Sequence, residues 1–154
     1  MNDDQQYINT DEIYLFNIGE AQQAYATFGC HRLDELGMHR FLVWAPNARQ
    51  VSVVGDFNGW DASKNRMERL DTGVFAAFIP GLKDGDCYKY QINGFDSQTV
   101  LKSDPFAFHA EVRPATASKV WSLDGYHWRD EEFLKRRPEQ NMLNRPMTIY
   151  EMNI

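Results

Sequence analysis

Along residues 39–44 and 50–55, hydrophobic positions recur with a period of two. In the second segment, Val51 and Val53 share one face and Ser52 lies between them on the other. This period is typical of a β-strand that covers a core. Similar short runs, each bounded by turn residues, predict further strands at 74–79, 87–92 and 98–102, with weaker candidates at 30–33 and 118–121. Six or seven short strands without a long helix predict an all-β fold, an Ig-like antiparallel β-sandwich.

Two short helices are predicted, one near each end of the chain. Over residues 20–28, apolar side chains share one face, and Gly29 is placed to end the helix. Over residues 130–137, acidic side chains precede basic ones, which suits the helix dipole, and Pro138 stops the helix. The predicted organisation is a frayed tail and short helix over 1–29, a sandwich over 30–122, a linker with a short helix over 123–146, and a final strand-like run over 147–154.

Composition limits the partners that the chain can bind. It has 154 residues, of which 43% are hydrophobic and 14% aromatic, enough for one packed core. The net charge of −6 is the opposite of what a sequence-independent nucleic-acid binder needs. No apolar stretch reaches membrane-spanning length, and the polar, acidic start does not resemble a signal peptide. We therefore expect neither nucleic acid nor a membrane as a partner, whereas a neutral polysaccharide is compatible with this charge.

The chain offers few residues suited to catalysis, metal binding or disulfide formation. Two cysteines, Cys30 and Cys87, are too few for a disulfide framework and favour reduced thiols in a cytoplasmic protein. None of the four histidines is spaced as zinc ligands usually are, and no Ser/His/Asp setting or phosphate-binding glycine loop is present. The carboxylates of a polar turn, Asp84 and Asp86, and of a charged helix, Glu131 and Glu132, are expected to be solvated. The chain by itself is therefore predicted to have no catalytic residue, no metal and no cofactor.

A candidate binding surface follows from one turn and the strand predicted at 87–92. Residues 55–60 surround two aromatic side chains with turn formers, so the face of Trp60 is expected to stay exposed. In the strand, alternation sends the two tyrosines into the core and Lys89 and Gln91 outward. A flat indole near an outward amine can stack on a sugar ring and donate to its hydroxyls. The other interpretation, that Trp60 packs on its own turn and Lys89 is a solvated charge, stays open.

Several segments, taken in order, carry a resemblance to a known family. Together they make the chain, over roughly residues 14–154, similar to the N-terminal β-sandwich module of bacterial 1,4-α-glucan (glycogen) branching enzymes, of the starch- and glycogen-binding type. The run from Lys102 to Pro114 is the segment most specific to branching enzymes. The Trp-Ala-Pro and Gly-Asp-Phe-Asn-Gly-Trp motifs also occur in debranching enzymes and trehalose-forming relatives. The matching segments are Phe41–Pro46, Val51–Trp60, Phe78–Leu82, Tyr88–Tyr90, Leu101–Phe108, Glu111–Pro114, Ala117–Ser118, Tyr126–Asp130 and Ile149–Ile154.

The resemblance implies a parent enzyme that cuts an α-1,4 linkage and re-forms an α-1,6 branch, with an aspartate nucleophile and a glutamate acid/base on a (β/α)8 barrel. The final run, 147–154, is similar to the first strand of that barrel. We therefore expect a chain cut at a domain border and a module that catalyses nothing alone. The alternatives are a free-standing glycogen-targeting or regulatory module, and the equivalent module of a debranching or trehalose-releasing hydrolase.

The resemblance also implies roles for individual residues. Trp60 matches a tryptophan that stacks on glucose, and Lys89 matches a lysine that hydrogen-bonds sugar hydroxyls, with Gln91 beside it. Phe95 lies nearest the place of a second stacking tryptophan, and phenylalanine stacks more weakly. The expected partners are a weakly bound α-1,4-glucan of the glycogen or starch kind and the barrel of the parent protein. The candidates for contact with that barrel are Trp44 and Trp128.

Overall fold

The computed structural model describes residues 6–70, 72–139, 144, 146 and 148–153. They belong to two compact units, Met1–Ser122 and Leu123–Ile154. The described part of the second unit contains helix α3 (Glu131–Arg136), in the place predicted for the linker helix. The first unit contains helices α1 (Thr10–Asn17) and α2 (Ala24–Thr27) and strands β1 (Gly29–Leu33), β2 (Met38–Trp44), β3 (Ala48–Gly55), β4 (Glu68–Arg69), β5 (Val74–Pro80), β6 (Cys87–Gly94), β7 (Thr99–Lys102), β8 (His109–Ala110) and β9 (Ser118–Lys119).

The strands form two antiparallel sheets around one core. Sheet A has the strand order β1-β2-β5-β4. Sheet B has the order β3-β6-β9-β8, and β7 also pairs with β6. This arrangement confirms the predicted all-β antiparallel sandwich and the seven predicted strand positions. Strands β4 and β8 were not predicted, because two residues are too few to show a period.

Alternation decides which side chains enter the core between the sheets. In β6, Tyr88 and Tyr90 are fully buried, as predicted, and their neighbours Lys89 and Gln91 lie on the opposite face. The ring of Phe41 from sheet A meets that of Tyr88 edge to face, with centroids 5.2 Å apart. Contacts of this kind across the core fix the register of β6, and with it the positions of the residues on its outer face.

A second apolar cluster covers the opposite face of sheet A. Leu42 of β2 and Val74 and Ala76 of β5 lie outside the main core, so this face of the sheet needs a cover of its own. The N-terminal segment supplies it, since Ile13 of α1 and Phe28 complete the buried cluster. The sandwich therefore carries a partial third layer of helix and loop.

The predicted N-terminal helix is wrong in place and length. The structure has α1 beginning within the frayed tail predicted for residues 1 to about 12, and only the four residues of α2 lie within the predicted helix at 20–28. Asn9 caps α1, because its side chain accepts from the backbone nitrogen of Glu12 at 3.0 Å. The amide of Glu20 donates to the carbonyl of Leu15 at 2.8 Å, and this bond closes the far end of α1. The backbone at Glu20 therefore ends one helix instead of starting another.

One buried arginine holds the N-terminal segment against sheet A. Arg40 of β2 lies on the outer face of the sheet, and its side chain is buried. Its guanidinium donates to the backbone carbonyls of Tyr7 at 2.7 Å, Thr27 at 2.9 Å and Ala26 at 3.3 Å. Hydrogen bonds from a charged donor are stronger than neutral ones. The cation therefore joins both ends of the covering segment to the same strand.

The C-terminal run has no regular secondary structure over residues 148–153. Ile149 and Tyr150 are almost fully exposed. The ends of the predicted strand-like run, Met147 and Ile154, lie outside the described residues. Within the described ranges, every helix is too short or too polar to cross a membrane.

Candidate functional site

The turn that follows β3 is built by a single asparagine. Asn58 is buried, and its side-chain oxygen accepts from the backbone nitrogen of Gly55 at 3.0 Å. Its amide group donates to the carbonyl of Val53 at 2.9 Å. Gly59 and Trp60 then take left-handed backbone angles, with φ of 68° and 62°, a conformation that is rare for a bulky side chain. The turn thus holds Trp60 in an unusual backbone conformation at the end of sheet B.

The indole of Trp60 is fixed at its nitrogen and open on part of its surface. Its Nε1 donates to Asp56 Oδ1 at 3.1 Å, and 40% of the residue is exposed. The other carboxylate oxygen of Asp56 accepts from the backbone nitrogen of Cys87 at 3.0 Å. One aspartate therefore connects the tryptophan to the first residue of β6. The ring does pack on its own turn, as one interpretation held, but it also keeps an accessible surface in a preset orientation.

Lys89 and Gln91 occupy the outer face of sheet B, as alternation predicted. Lys89 pairs with Val54 of β3, and Gln91 pairs with Ser52 of β3 and Leu101 of β7. The ammonium nitrogen of Lys89 lies 2.6 Å from the hydroxyl of Thr116, to which it donates. Lys89 is therefore a positioned donor rather than a freely solvated charge, and Thr116 is a site neighbour that the sequence analysis missed.

Phe95 lies beyond the far end of β6, in the loop that leads to β7. The loop is held by the amide of Gly94, which donates to the carbonyl of Gln98 at 2.9 Å, and by the side chain of Asp96, which accepts from the amide of Gln98 at 3.1 Å. Phe95 is 66% exposed. The structure thus places the four predicted residues along one strand, with Trp60 at its start, Lys89 and Gln91 on its outer face, and Phe95 after its end.

Beneath this face lies a buried carboxylate that the sequence did not reveal. Asp104 Oδ2 accepts from the hydroxyls of Tyr88 at 2.7 Å and Tyr90 at 3.0 Å, and its Oδ1 accepts from the amide of Phe106 at 2.9 Å. The amide of Asp104 itself donates to the hydroxyl of Ser118 at 2.8 Å. Burial raises the pKa of Asp104 above its usual range, and it also raises the pKa of both tyrosines. This network fixes the inner side of the strand that carries Lys89.

Both cysteines are free thiols. Burial raises the pKa of Cys30 and, to a smaller degree, that of Cys87, whose Sγ also lies 3.6 Å from Glu111 Oε1. Among the described residues, no cluster of three or more His, Cys, Asp or Glu side chains could hold a metal ion.

Gly55 is expected to be intolerant of a side chain, because a Cβ there would meet the carbonyl oxygen of Cys87 and approach the Cα of Tyr88 at 3.2 Å. Gly55→Ala should lower the free energy of unfolding by about 1–3 kcal/mol, the usual cost of overpacking. Gly94→Ala is the matched control, since its Cβ would meet the carboxylate of Asp96 rather than backbone, and this side chain can shift at the cost of its hydrogen bond to the amide of Gln98. Chemical denaturation of both variants measures the difference, and equal midpoints would contradict the close approach at Gly55.

Comparison with known proteins shows which family the chain belongs to. Residues 27–107 match the model of the family described as carbohydrate-binding module 48 (isoamylase N-terminal domain), which is more than half of the chain. The chain belongs to the carbohydrate-binding module 48 family. The Trp60 turn, β6 and Asp104 all lie within the matched residues of this module.

Relatives of the module are bacterial enzymes much longer than the chain. The 1,4-alpha-glucan branching enzyme GlgB of Desulfitobacterium hafniense is 44% identical over 98% of this chain. The enzyme of the same name from Synechococcus elongatus is 43% identical over 93% of the chain. The module spans 24% and 19% of the lengths of these two relatives. The resemblance drawn from the sequence is thereby confirmed.

Solved structures share the fold of the module at low sequence identity. A putative alpha amylase from Salmonella typhimurium matches over 68% of this chain and 16% of its own, with a TM-score of 0.55 and 21% identity. Pullulanase from Bacillus acidopullulyticus matches over 62% of this chain and 12% of its own, with a TM-score of 0.52 and 24% identity. At such identities, the likeness is one of architecture.

Proposed function

We propose that the chain is the N-terminal, non-catalytic module of a 1,4-α-glucan branching enzyme, and that it binds the α-glucan on which such an enzyme acts. The observation that carries the proposal is the partly exposed indole of Trp60, fixed by Asp56 at the end of the strand that presents Lys89. Identity of 44% along nearly the whole chain supports the choice of a branching enzyme as the parent. The pullulanase and amylase likenesses rest on fold alone and favour no rival parent.

The binding surface works through stacking and hydrogen bonding, both suited to a neutral sugar. The accessible surface of the Trp60 indole is the stacking plane, and its orientation is set before binding by the hydrogen bond to Asp56. Lys89 and Gln91 supply donors to hydroxyl groups on the adjoining face of sheet B. Phe95 extends the apolar contact beyond the end of β6. Because the contacts are few, the affinity of the module alone should be weak, about millimolar.

Catalysis would lie elsewhere in the parent protein. Glycosyl transfer needs two carboxylates at a fixed separation across the scissile bond, and the carboxylates described on the candidate surface have structural partners instead. Asp56 holds Trp60 and β6, and Asp104 is buried beneath the sheet. The module would therefore raise the local concentration of polymer for the rest of the enzyme.

Two exposed tryptophans are suited to contact with the parent's catalytic domain. Trp44, at the end of β2, is 46% exposed and meets Phe16 edge to face at 5.9 Å. In the second unit, Trp128 is 73% exposed and meets Tyr126 edge to face at 5.0 Å. Large aromatic side chains of this kind are enriched at protein interfaces.

Affinity electrophoresis tests the proposed function. The chain should migrate more slowly in a native gel that contains glycogen than in the same gel without it, and the retardation should grow with the glycogen concentration. A gel that contains dextran, whose linkages are mainly α-1,6, is the control for viscosity and non-specific trapping. Equal mobility in all three gels would overturn the glucan-binding proposal and leave a module that only contacts its own catalytic domain.

A further inference from the structure

A second exposed tryptophan lies on the outer face of sheet B, outside the predicted site. Trp121 follows β9, where side chains alternate between buried Ser118 and Val120 and the outward Lys119. The alternation continues, because the amide of Val120 donates to the carbonyl of Asp86 at 2.9 Å. Trp121 is 42% exposed, close to the value for Trp60. It therefore presents a comparable stacking surface on the same side of the sandwich.

A histidine packs against this tryptophan and widens the surface. The ring centroids of His109 and Trp121 are 4.7 Å apart, and the two planes are inclined by 43°. His109 of β8 pairs with Lys119 of β9, which in turn pairs with Cys87 of β6, so the three side chains share the outer face. One ring nitrogen of His109 is held by the carbonyl of Ala110 at 2.9 Å. The pair is thus a positioned aromatic platform on a strand edge.

Strand pairing places this platform at the same end of the sheet as Trp60. The amide of Gly85 donates to the carbonyl of Val120 at 2.8 Å, which puts Trp121 beside the start of β6. The start of β6 is also where the amide of Cys87 donates to Asp56, the carboxylate that fixes Trp60. Strands β3 and β9 flank β6 here, so the end of β3, where the Trp60 turn begins, is about two strand spacings, roughly 10 Å, from the end of β9, which Trp121 follows.

The surface beside the two aromatics, at the start of β6, is polar. Lys119 and Cys87 lie opposite each other across the strand pair. Glu111 borders them, and its carboxylate accepts from the amide of Ala117 at 2.8 Å while its other oxygen lies 3.6 Å from the sulfur of Cys87. An ammonium and a carboxylate are suitable partners for sugar hydroxyls, which both donate and accept. Two stacking surfaces with polar side chains beside them are suited to bind a chain of several sugar rings.

We propose that Trp121 and His109 form a second glucan-contacting platform, and that one α-glucan chain bridges Trp60 and Trp121 across the start of β6. The proposal rests on the proposed function, because it takes the same ligand class. It adds a chain-length preference, since a short oligosaccharide can reach one platform and a longer one can reach both. It also directs the polymer across the strands β3, β6 and β9 rather than only along β6.

Nuclear magnetic resonance of the four tryptophan indoles provides the test. The indole N–H signals of Trp44, Trp60, Trp121 and Trp128 are assigned from single Trp→Phe variants, and the chain is titrated with maltose and with maltoheptaose. Maltose, which covers one platform at a time, should shift either indole signal only weakly, whereas maltoheptaose, which reaches both platforms, should shift both signals at a lower concentration. Trp44 and Trp128 serve as internal references. Trp121→Ala should weaken the response of the Trp60 signal to maltoheptaose about fivefold, whereas the response of that signal to maltose, which does not span the two platforms, should change much less.

The outcomes separate this inference from the function on which it rests. A Trp60 signal that responds to maltoheptaose while the Trp121 signal does not would overturn the second platform and leave the proposed function intact. No response from either indole would overturn both. Trp121→Phe, which keeps a stacking ring, should recover at least half of the lost affinity; a Phe variant as weak as the Ala variant would contradict stacking. Signal dispersion in the spectrum of each variant shows whether it is folded.

Discussion

Replacing Asp104 by alanine should lower the free energy of unfolding by about 4 kcal/mol, because three donors lose their acceptor in a buried site. The hydroxyls of Tyr88 and Tyr90 and the amide of Phe106 all donate to this carboxylate. Each buried donor left without a partner costs about 1–3 kcal/mol. Small domains are stable by only about 5–15 kcal/mol, so the variant should be close to unfolding at room temperature. Urea denaturation followed by tryptophan fluorescence measures the loss.

The matched control is Asp104→Asn, which keeps the shape and part of the hydrogen bonding. It should lose less stability than Asp104→Ala, and equal losses would mean that packing rather than the polar network is responsible. The pH dependence adds a second check. Because burial raises the pKa of Asp104, the folded chain keeps this proton to a higher pH than the unfolded chain does. The stability of wild type relative to Asp104→Asn should therefore fall as the pH rises above about 4.

Trp60→Ala should abolish the retardation of the chain in glycogen gels. The indole is the largest accessible apolar surface of the candidate site whose orientation is fixed by a hydrogen bond. Stacking of this size contributes about 1 kcal/mol beyond area burial, and its loss from a millimolar complex moves the dissociation constant beyond what the gel detects. Lys89→Ala should weaken retention less, because Gln91 and Phe95 remain.

Trp44→Ala is the control for Trp60→Ala, since Trp44 is about as exposed but lies on sheet A. Its mobility in glycogen should equal that of wild type. Circular dichroism has to show that each variant is folded, because Trp60→Ala removes the indole hydrogen bond to Asp56, the carboxylate that also accepts from the backbone nitrogen of Cys87. Equal retardation of wild type and Trp60→Ala would place the binding face elsewhere on the module.

The sequence predicted those parts of the fold that depend on local pattern. The period of two placed β2, β3, β5 and β6 nearly to their ends and put Tyr88 and Tyr90 in the core. The same rule put Lys89 and Gln91 on the outer face. The turn formers before Trp60 predicted the turn correctly. The side chain of Asn58 hydrogen-bonds the backbone of Gly55 and Val53, and Gly59 adopts the left-handed backbone angle. In each case the pattern that predicts the feature lies within one short segment of the chain.

The features that the sequence did not predict depend on contacts between distant segments. The position of α1 is set by the apolar outer face of sheet A, which it covers, and no local sequence pattern predicts this contact. Asp104 lies 14 and 16 residues from its tyrosine partners, and a single carboxylate in a turn sequence looks solvated. Trp121 joins the candidate surface only through the register of β6 and β9. Such relations become visible once the strands are paired.

The hydrogen bonds of Arg40 bear on where the domain begins. The family match starts at residue 27, yet Arg40 donates to the carbonyl of Tyr7, and Ile13 belongs to the buried cluster on sheet A. A fragment that started at the family border would uncover Leu42, Val74 and Ala76. It would also leave the buried cation without two of its three acceptors, the carbonyls of Tyr7 and Ala26. The cooperative folding unit is therefore longer than the segment that matches the family. Its N-terminal extension covers an apolar sheet face that would otherwise be prone to aggregation.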